Sequence, residues 1–160
     1  MKKSRVWKFN DDIDTDQIIP SQYLLLSTIE EMKKFTFESI NKEFSSKVLE
    51  GDVIVAGENF GCGSSREQAP SVLKKLGIKS IVAKSFARIF FRNSINIGLP
   101  VIVCEELYDD INENDFIEID FTNGIIKKEN KEYKCTKLPS HMQTILNSNG
   151  LIEYLNRKED

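Results

Sequence analysis

The clearest apolar run in the chain is GDVIVAG at residues 51–57, unbroken and bounded by glycines, the pattern of a strand buried on both faces of a sheet. Residues 67–76 (EQAPSVLKKL) instead space Val72, Leu73 and Leu76 along one helical face, and Gly77 stands where a helix stops. IKSIVAKSF at 78–86 predicts a second strand, ARIFFRNSINIG at 87–98 a second helix, and LPVIVC at 99–104 a third strand behind Pro100. Strands and helices alternating in this way predict right-handed βαβ crossovers and a parallel sheet with helices packed against it.

Beyond Cys104 the period changes. DFIEIDF at 115–121 alternates strictly, TNG at 122–124 offers a hairpin turn, and IIKKE and KEYKC alternate again, which predicts an antiparallel meander. The tail from His141 reads as one or two short helices interrupted at Asn149 and Gly150, with a charged, frayed end. In the first fifty residues the pattern supports a strand at RVWKF (5–9), a polar loop DDIDTD (11–16), a short YLLL stretch (23–26) and a helix from Thr28 to Phe35. The fold class is therefore α/β, with a largely parallel central sheet, flanking helices and an added antiparallel meander.

At 160 residues, 40% of them hydrophobic and 29% charged, the chain suits one domain spanning 1–160, with no room for a second core. Its net charge of -3 and scattered basic residues lack the cationic surface that nucleic acid demands. No apolar run approaches the length of a membrane span, and the start lacks the apolar core of a signal peptide, so a cytoplasmic location is expected. Cys62, Cys104 and Cys135 are too few and too scattered for a disulfide framework. With no C-x-x-C pair and a single histidine, His141, the chain is expected to hold no metal or iron-sulfur cluster of its own.

The chemistry concentrates in ENFGCGSSREQ, residues 58–68, between the first of these strands and its helix. Gly61 and Gly63 permit a sharp turn or close approach to a ligand. Ser64, Ser65 and Arg66 then reach a helix N-terminus, where N–H groups and the dipole favour an anion. A capping box, Ser64 with Glu67 or Ser65 with Gln68, is the competing use of the same residues, and Pro70 counts against it by placing the start of regular helix close to itself. The loop has no lysine for a P-loop, and Arg66 stands where a dinucleotide fingerprint needs its third glycine. Two hydroxyls and one guanidinium remain, suited to holding a carboxylate and placing a serine oxygen beside it.

GDVIVAGENFGCGSSREQAP, preceded by DIDTDQIIP and followed by AKSFARIFFRNSINIGLPV, resembles the small subunits of 3-isopropylmalate dehydratase, the separate swivelling domain of the aconitase superfamily. The resemblance runs from about Asp11 to Val103. It implies a hydro-lyase subunit of leucine biosynthesis, active only with a large subunit that carries a four-iron, four-sulfur cluster, in a heterodimer or heterotetramer. It also implies that Ser64 removes the carbon-bound proton of a small dicarboxylate and that Arg66 and Ser65 bind that substrate. Asp14, Thr15 and Asp16 match the family's DTD loop, where a site-supporting role competes with a plain turn; Gly61 and Gly63 support the site likewise.

The family's specificity loop falls on Tyr23, Leu24, Leu25 and Leu26, where relatives that accept a third carboxylate have an arginine. Burying three isopropyl carbons there is worth on the order of 2 kcal/mol, whereas an unpaired carboxylate would cost several. An alkyl-substituted malate is thus favoured: 2-isopropylmalate first, with 2-methylmalate (citraconate hydration) and 2,3-dimethylmalate as alternatives, since one methyl group changes discrimination by only about 1 kcal/mol; the tricarboxylate homoaconitate is the further alternative among such hydro-lyases. Cys62 stands where aconitase itself has an acidic residue and is expected to pack. Arg88 and Arg92, four apart beside Phe86, Phe90 and Phe91, read as aromatic packing with solvated guanidinium groups, while their place in the FARIFFRN motif suggests interface or site-supporting contacts. His141 reads as structural or exposed, and Lys127, Lys128 and Lys131 as a solvated hairpin face.

Overall fold

The computed structural model describes residues 2–159. Seven strands, β1 (Ser4–Lys8), β2 (Val53–Ala56), β3 (Ser80–Ala83), β4 (Val101–Val103), β5 (Phe116–Asp120), β6 (Ile125–Lys128) and β7 (Lys131–Lys134), form one mixed sheet in the order β4-β3-β2-β1-β5-β6-β7. The first four are parallel, in a register that sets Val6 beside Val53, Ile54 beside Ile81 and Ala83 beside Val103. The last three pair antiparallel, and the meander joins the parallel half through β1 and β5. The parallel strands and the meander fall where the hydrophobic pattern predicts them.

Among the described residues eight helices surround the sheet: α1 (Thr15–Ile18), α2 (Ile29–Met32), α3 (Phe44–Lys47), α4 (Gln68–Lys75), α5 (Arg88–Asn96), α6 (Leu107–Asp110), α7 (Ser140–Asn147) and α8 (Leu151–Glu159). Two differences from the sequence pattern stand out. The expected helix from Thr28 to Phe35 is a single turn of α2 that tightens into a 3-10 turn at Lys33–Phe35. The polar DDIDTD segment, expected to be all loop, ends in α1, because Asp14 caps it: the Gln17 N–H donates to Asp14 Oδ1 at 2.8 Å and the Asp14 N–H to Gln17 Oε1 at 3.0 Å. The tail breaks at Asn149 and Gly150, both with positive φ, as its composition suggests; the charged end at Asp160 lies outside the described residues. Among the described residues, no helix is long and apolar enough to cross a membrane.

Strand alternation sorts the core into two layers. Ile54, Ala56, Ile81, Ala83 and Val101 face Val72 and Leu73 of α4 and Phe90 and Ile95 of α5. Val53, Val55, Val82 and Ile102 face Ile117, Ile119, Ile126 and Tyr133 of the meander. The sheet is therefore curled around its own second face. At the closure the Thr136 N–H, just past β7, donates to the Val103 carbonyl of β4 at 2.9 Å, so the two edges of the sheet meet there. Asp52 ties β1 to the entry of β2: 4% exposed, it accepts from Arg5 at 2.8 Å, from the Trp7 indole at 2.9 Å and from the Leu49 N–H at 2.9 Å.

Candidate active site

Three connections at the C-terminal ends of the parallel strands lie side by side. The loop leaving β2 runs between the segment after β1 and the segment after β3. The Gly61 N–H donates to the Ile13 carbonyl at 2.7 Å and the Thr15 N–H to the Cys62 carbonyl at 2.9 Å. On the other side the Phe60 N–H donates to Ser85 at 3.1 Å and the Ala87 N–H to Phe60 at 2.9 Å. Gly61 is required twice over: its φ is +84°, and a Cβ there would lie 2.2 Å from the Phe90 ring. Gly63 is required for its φ of +87° alone.

Past Gly63 the chain does not form the capping box. α4 begins at Gln68 with Glu67 at its N-cap and no side-chain cap, and Pro70 is its third residue. Ser64 and Ser65 sit in the lead-in, exposed, with hydroxyls that make no hydrogen bond among the described residues. The Thr15 hydroxyl donates to the Ser64 carbonyl at 2.6 Å, which fixes the backbone and leaves the Ser64 hydroxyl free. Arg66 folds back: Nη1 donates to Asp16 Oδ1 and to the Ile19 carbonyl, both at 2.9 Å, and its side chain is only 16% exposed. The Arg66 hydrogen bond, helped by the Ser21 N–H, holds the Asp16 carboxyl below the usual carboxylate range.

These residues open onto a cleft of about 400 Å³ lined by Thr15, Gly63, Ser64, Ser65 and Arg66 on one wall and Arg88, Ile89 and Phe90 on the other. The second wall is the first turn of α5. Ala87 at its N-cap has no side-chain acceptor, so the first-turn N–H groups are uncapped. Arg88 is exposed and has no ion pair or side-chain hydrogen bond among the described residues. Two serine hydroxyls, an uncapped helix start and an unpartnered guanidinium around one cleft have the donors that a carboxylate-bearing ligand would need.

Residues 37–106 match the aconitase C-terminal domain family. The chain is 51% identical over 155 residues to the 3-isopropylmalate dehydratase small subunit of Caldicellulosiruptor bescii, covering 96% of this chain and 93% of that one. It is 49% identical over 158 residues to the same subunit of Clostridium botulinum, covering 98% of each. The chain belongs to the 3-isopropylmalate dehydratase small-subunit family. A solved structure of 3-isopropylmalate dehydratase from Methanocaldococcus jannaschii is 47% identical and superposes with a TM-score of 0.93, over 98% of this chain and 94% of that one.

Within this family member the structure brings Thr15 to Ser64 as a tether and Asp16 to Arg66 as its ion-pair partner, while Asp14 caps α1 beside Cys62. Residues 21–26 stand one link away, since Asp16 Oδ1 also accepts from the Ser21 N–H at 3.1 Å. They form a 3-10 turn, Ser21–Leu25, that does not wall the cleft. Tyr23 stacks on Phe35 at 4.0 Å and its hydroxyl donates to Glu38, while Leu24 and Leu26 pack against the first core layer. Leu25 alone projects, 91% exposed.

The Cys62 thiol is half-buried and pushed up by burial and by the Asp14 and Asp12 carboxylates, as suits a packing residue. His141 is exposed on α7. The hairpin lysines are paired: Lys127 with Glu132 at 3.6 Å, Lys128 with Asp115 at 3.3 Å and Lys131 with Asp110 at 2.7 Å. Among the described residues no group of His, Cys, Asp and Glu side chains is arranged to hold a metal ion. Sequence reasoning offered Arg88 a site-supporting place but did not single out the uncapped first turn of α5. Its one signal was negative: ARIFF starts a helix without Ser, Thr, Asp or Asn at the cap.

Proposed function

We infer that this chain is the small subunit of 3-isopropylmalate dehydratase, a hydro-lyase that interconverts 2-isopropylmalate and 3-isopropylmalate through an alkene in leucine biosynthesis. The observation that carries this reading is the near-full-length identity to small subunits of that enzyme. The chain acts as one unit, 1–160, whose cleft closes against the large subunit. An iron-sulfur cluster, held by the large subunit and by no residue of this chain, would supply Lewis acidity for loss of the hydroxyl.

This chain's own residues handle the carbon-bound proton and the carboxylates. Ser64 Oγ takes the proton from the carbon next to the hydroxyl-bearing one, the electron pair becomes the double bond, and the hydroxyl leaves. Addition of water in the opposite sense, with Ser64 returning the proton, places the hydroxyl on the neighbouring carbon. A serine oxygen acts as a base only where its alkoxide is stabilised, and the α5 N–H groups, Arg88 and exclusion of water on closure serve that end. Arg66 and Ser65 hold a carboxylate, with Asp16 fixing the Arg66 fork. Leu25, projecting from the neighbouring turn that Tyr23, Leu24 and Leu26 anchor, meets the alkyl group only once the large subunit closes over the cleft.

The test is anaerobic turnover of 2-isopropylmalate, followed by alkene absorbance, with the cognate cluster-loaded large subunit. Activity is expected only with both chains present and is lost in Ser64→Ala. No turnover of 2-isopropylmalate by an assembled, cluster-bearing complex, with turnover of citraconate or dimethylmaleate instead, overturns the substrate assignment; failure on all of them overturns the catalytic one.

A further inference from the structure

Two cysteines that the dehydratase chemistry does not use face each other where the curled sheet closes. β4 is parallel to β1 through β3 and β2, whereas three successive antiparallel pairings lead from β1 through β5 and β6 to β7. The two edges therefore meet antiparallel. The Thr136 N–H donates to the Val103 carbonyl at 2.9 Å, a single bond that sets Val103 opposite Thr136. The next pair along the seam is Cys104 with Cys135, of the kind without mutual hydrogen bonds. Their N–H groups point away from the seam, to Ala83 at 3.0 Å and Gly124 at 2.8 Å.

Such a pair brings Cα atoms to about 4.5 Å, within the roughly 4.4–6.8 Å that a disulfide spans. Both side chains enter the same core layer, Cys104 within it and Cys135 at its edge, and both thiols are free. The Cys104 sulfur reaches across the seam to within 3.6 Å of the Lys134 carbonyl.

We propose that Cys104 and Cys135 form a reversible disulfide that clasps the seam between β4 and β7. The co-reactant is hydrogen peroxide, small enough to reach a recessed sulfur. The Cys104 thiolate attacks one peroxide oxygen, breaking the O–O bond and releasing water once the proton from Cys104 is returned. The resulting sulfenic acid is attacked by the Cys135 sulfur, forming the S–S bond and releasing a second water. Two thiols lose two electrons and two protons, the peroxide becomes two waters, and a dithiol reverses the change. Cys104 is the more acidic member, its thiolate stabilised by the Cys135 thiol and by the Leu107 and Glu106 N–H groups; Cys135 is pushed up by its neighbour and by burial.

Peroxide treatment of the full-length chain, read by thiol titration, intact mass, peptide mapping and melting temperature, tests the clasp. Free thiols are expected to fall from three to one, with the loss of two hydrogen atoms in mass and a Cys104–Cys135 cross-link. Closing the loop between these positions raises Tm by about 10 °C, and a dithiol restores the starting value. Cys62→Ser keeps the shift, and Cys104→Ser or Cys135→Ser abolishes it. A cross-link through Cys62, oxidation confined to one sulfur, or three thiols still free in the folded, treated chain overturns the proposal. Mapping of the wild-type chain decides the matter even if a serine variant fails to fold.

Discussion

The parallel half of the sheet and the meander line the same core layer, yet they leave their polar groups in opposite states. In the meander, turns are satisfied locally: the Asp120 carboxylate takes the Asn123 N–H at 3.1 Å and its side-chain amide at 2.8 Å, and the exposed lysines pair with nearby acids. In the parallel half, the loops after the strands are tied by bonds from distant segments, as from Gly61 to Ile13 and from Phe60 to Ser85. What those bonds leave over is the Ser64 and Ser65 hydroxyls, the first turn of α5 and Arg88. Rigid backbone with unsatisfied donors and acceptors is what a polar ligand requires. The meander closes the sheet; the rim of the parallel half is where the proposed chemistry sits.

The largest effect that sharpens this contrast is expected from a methyl group on each half. Gly61→Ala meets both a positive φ and the Phe90 ring, and should cost about 3 kcal/mol in denaturant unfolding and disorder the cleft. Gly124→Ala, at φ +67° with its Cβ 3.1 Å from the Cys135 carbonyl, should cost about 1 kcal/mol and leave activity alone. Equal losses of turnover would break the division between rim and meander. Next in size is Arg88→Ala, which removes a charge-assisted contact worth roughly 1.5 to 3 kcal/mol. In the assembled enzyme kcat/KM should fall about 10- to 100-fold, chiefly through kcat because Arg88 stabilises the Ser64 alkoxide, with Tm unchanged. Arg92→Ala, one turn on and outside the cleft wall, should match the wild type.

The strands were legible because burial on both faces leaves a continuous apolar run, as in Val53–Ala56, and burial on one leaves an alternation, as in Phe116–Asp120. The serine-arginine loop was legible because its glycines and hydroxyls have few other uses together. Three things were hidden. The Asp52 hub depends on Arg5 and Trp7, more than forty residues away, and no local pattern marks it. The engagement of Arg66 by Asp16 joins two motifs that sequence shows only as separate strings. The seam that sets Cys104 opposite Cys135 exists only because the sheet curls, and curling follows from the twist and packing of the whole sheet.

A smaller effect is expected at Leu25, the projecting member of the leucine triplet. Because its side chain is almost wholly exposed, Leu25→Arg should leave Tm unchanged. It should shift preference from 2-isopropylmalate toward a tricarboxylate such as homocitrate by about tenfold, since the pocket loses alkyl contact and gains a carboxylate partner. The assay compares kcat/KM for the two substrates in the assembled enzyme, and an unchanged ratio would remove the 21–26 turn from the site.

The smallest effect separates two acids that are held low for different reasons. The Asp16 carboxyl is depressed first by Arg66, a residue of the site, and the Asp120 carboxyl first by Asn123 within its own hairpin turn. For each, the folded state favours the charged form. Each contribution to stability is therefore full above the ordinary carboxylate pKa of about 4 and is lost as pH falls through the depressed value. Asp16→Asn and Asp120→Asn should each flatten the fall of unfolding free energy below about pH 4, and slightly, because both groups are largely solvated. Only Asp16→Asn should also raise KM at neutral pH, because it frees the Arg66 fork that Asp16 aims. A rise in KM for Asp120→Asn, or none for Asp16→Asn, would mean that the rim's ion pair stabilises the fold without aiming the arginine.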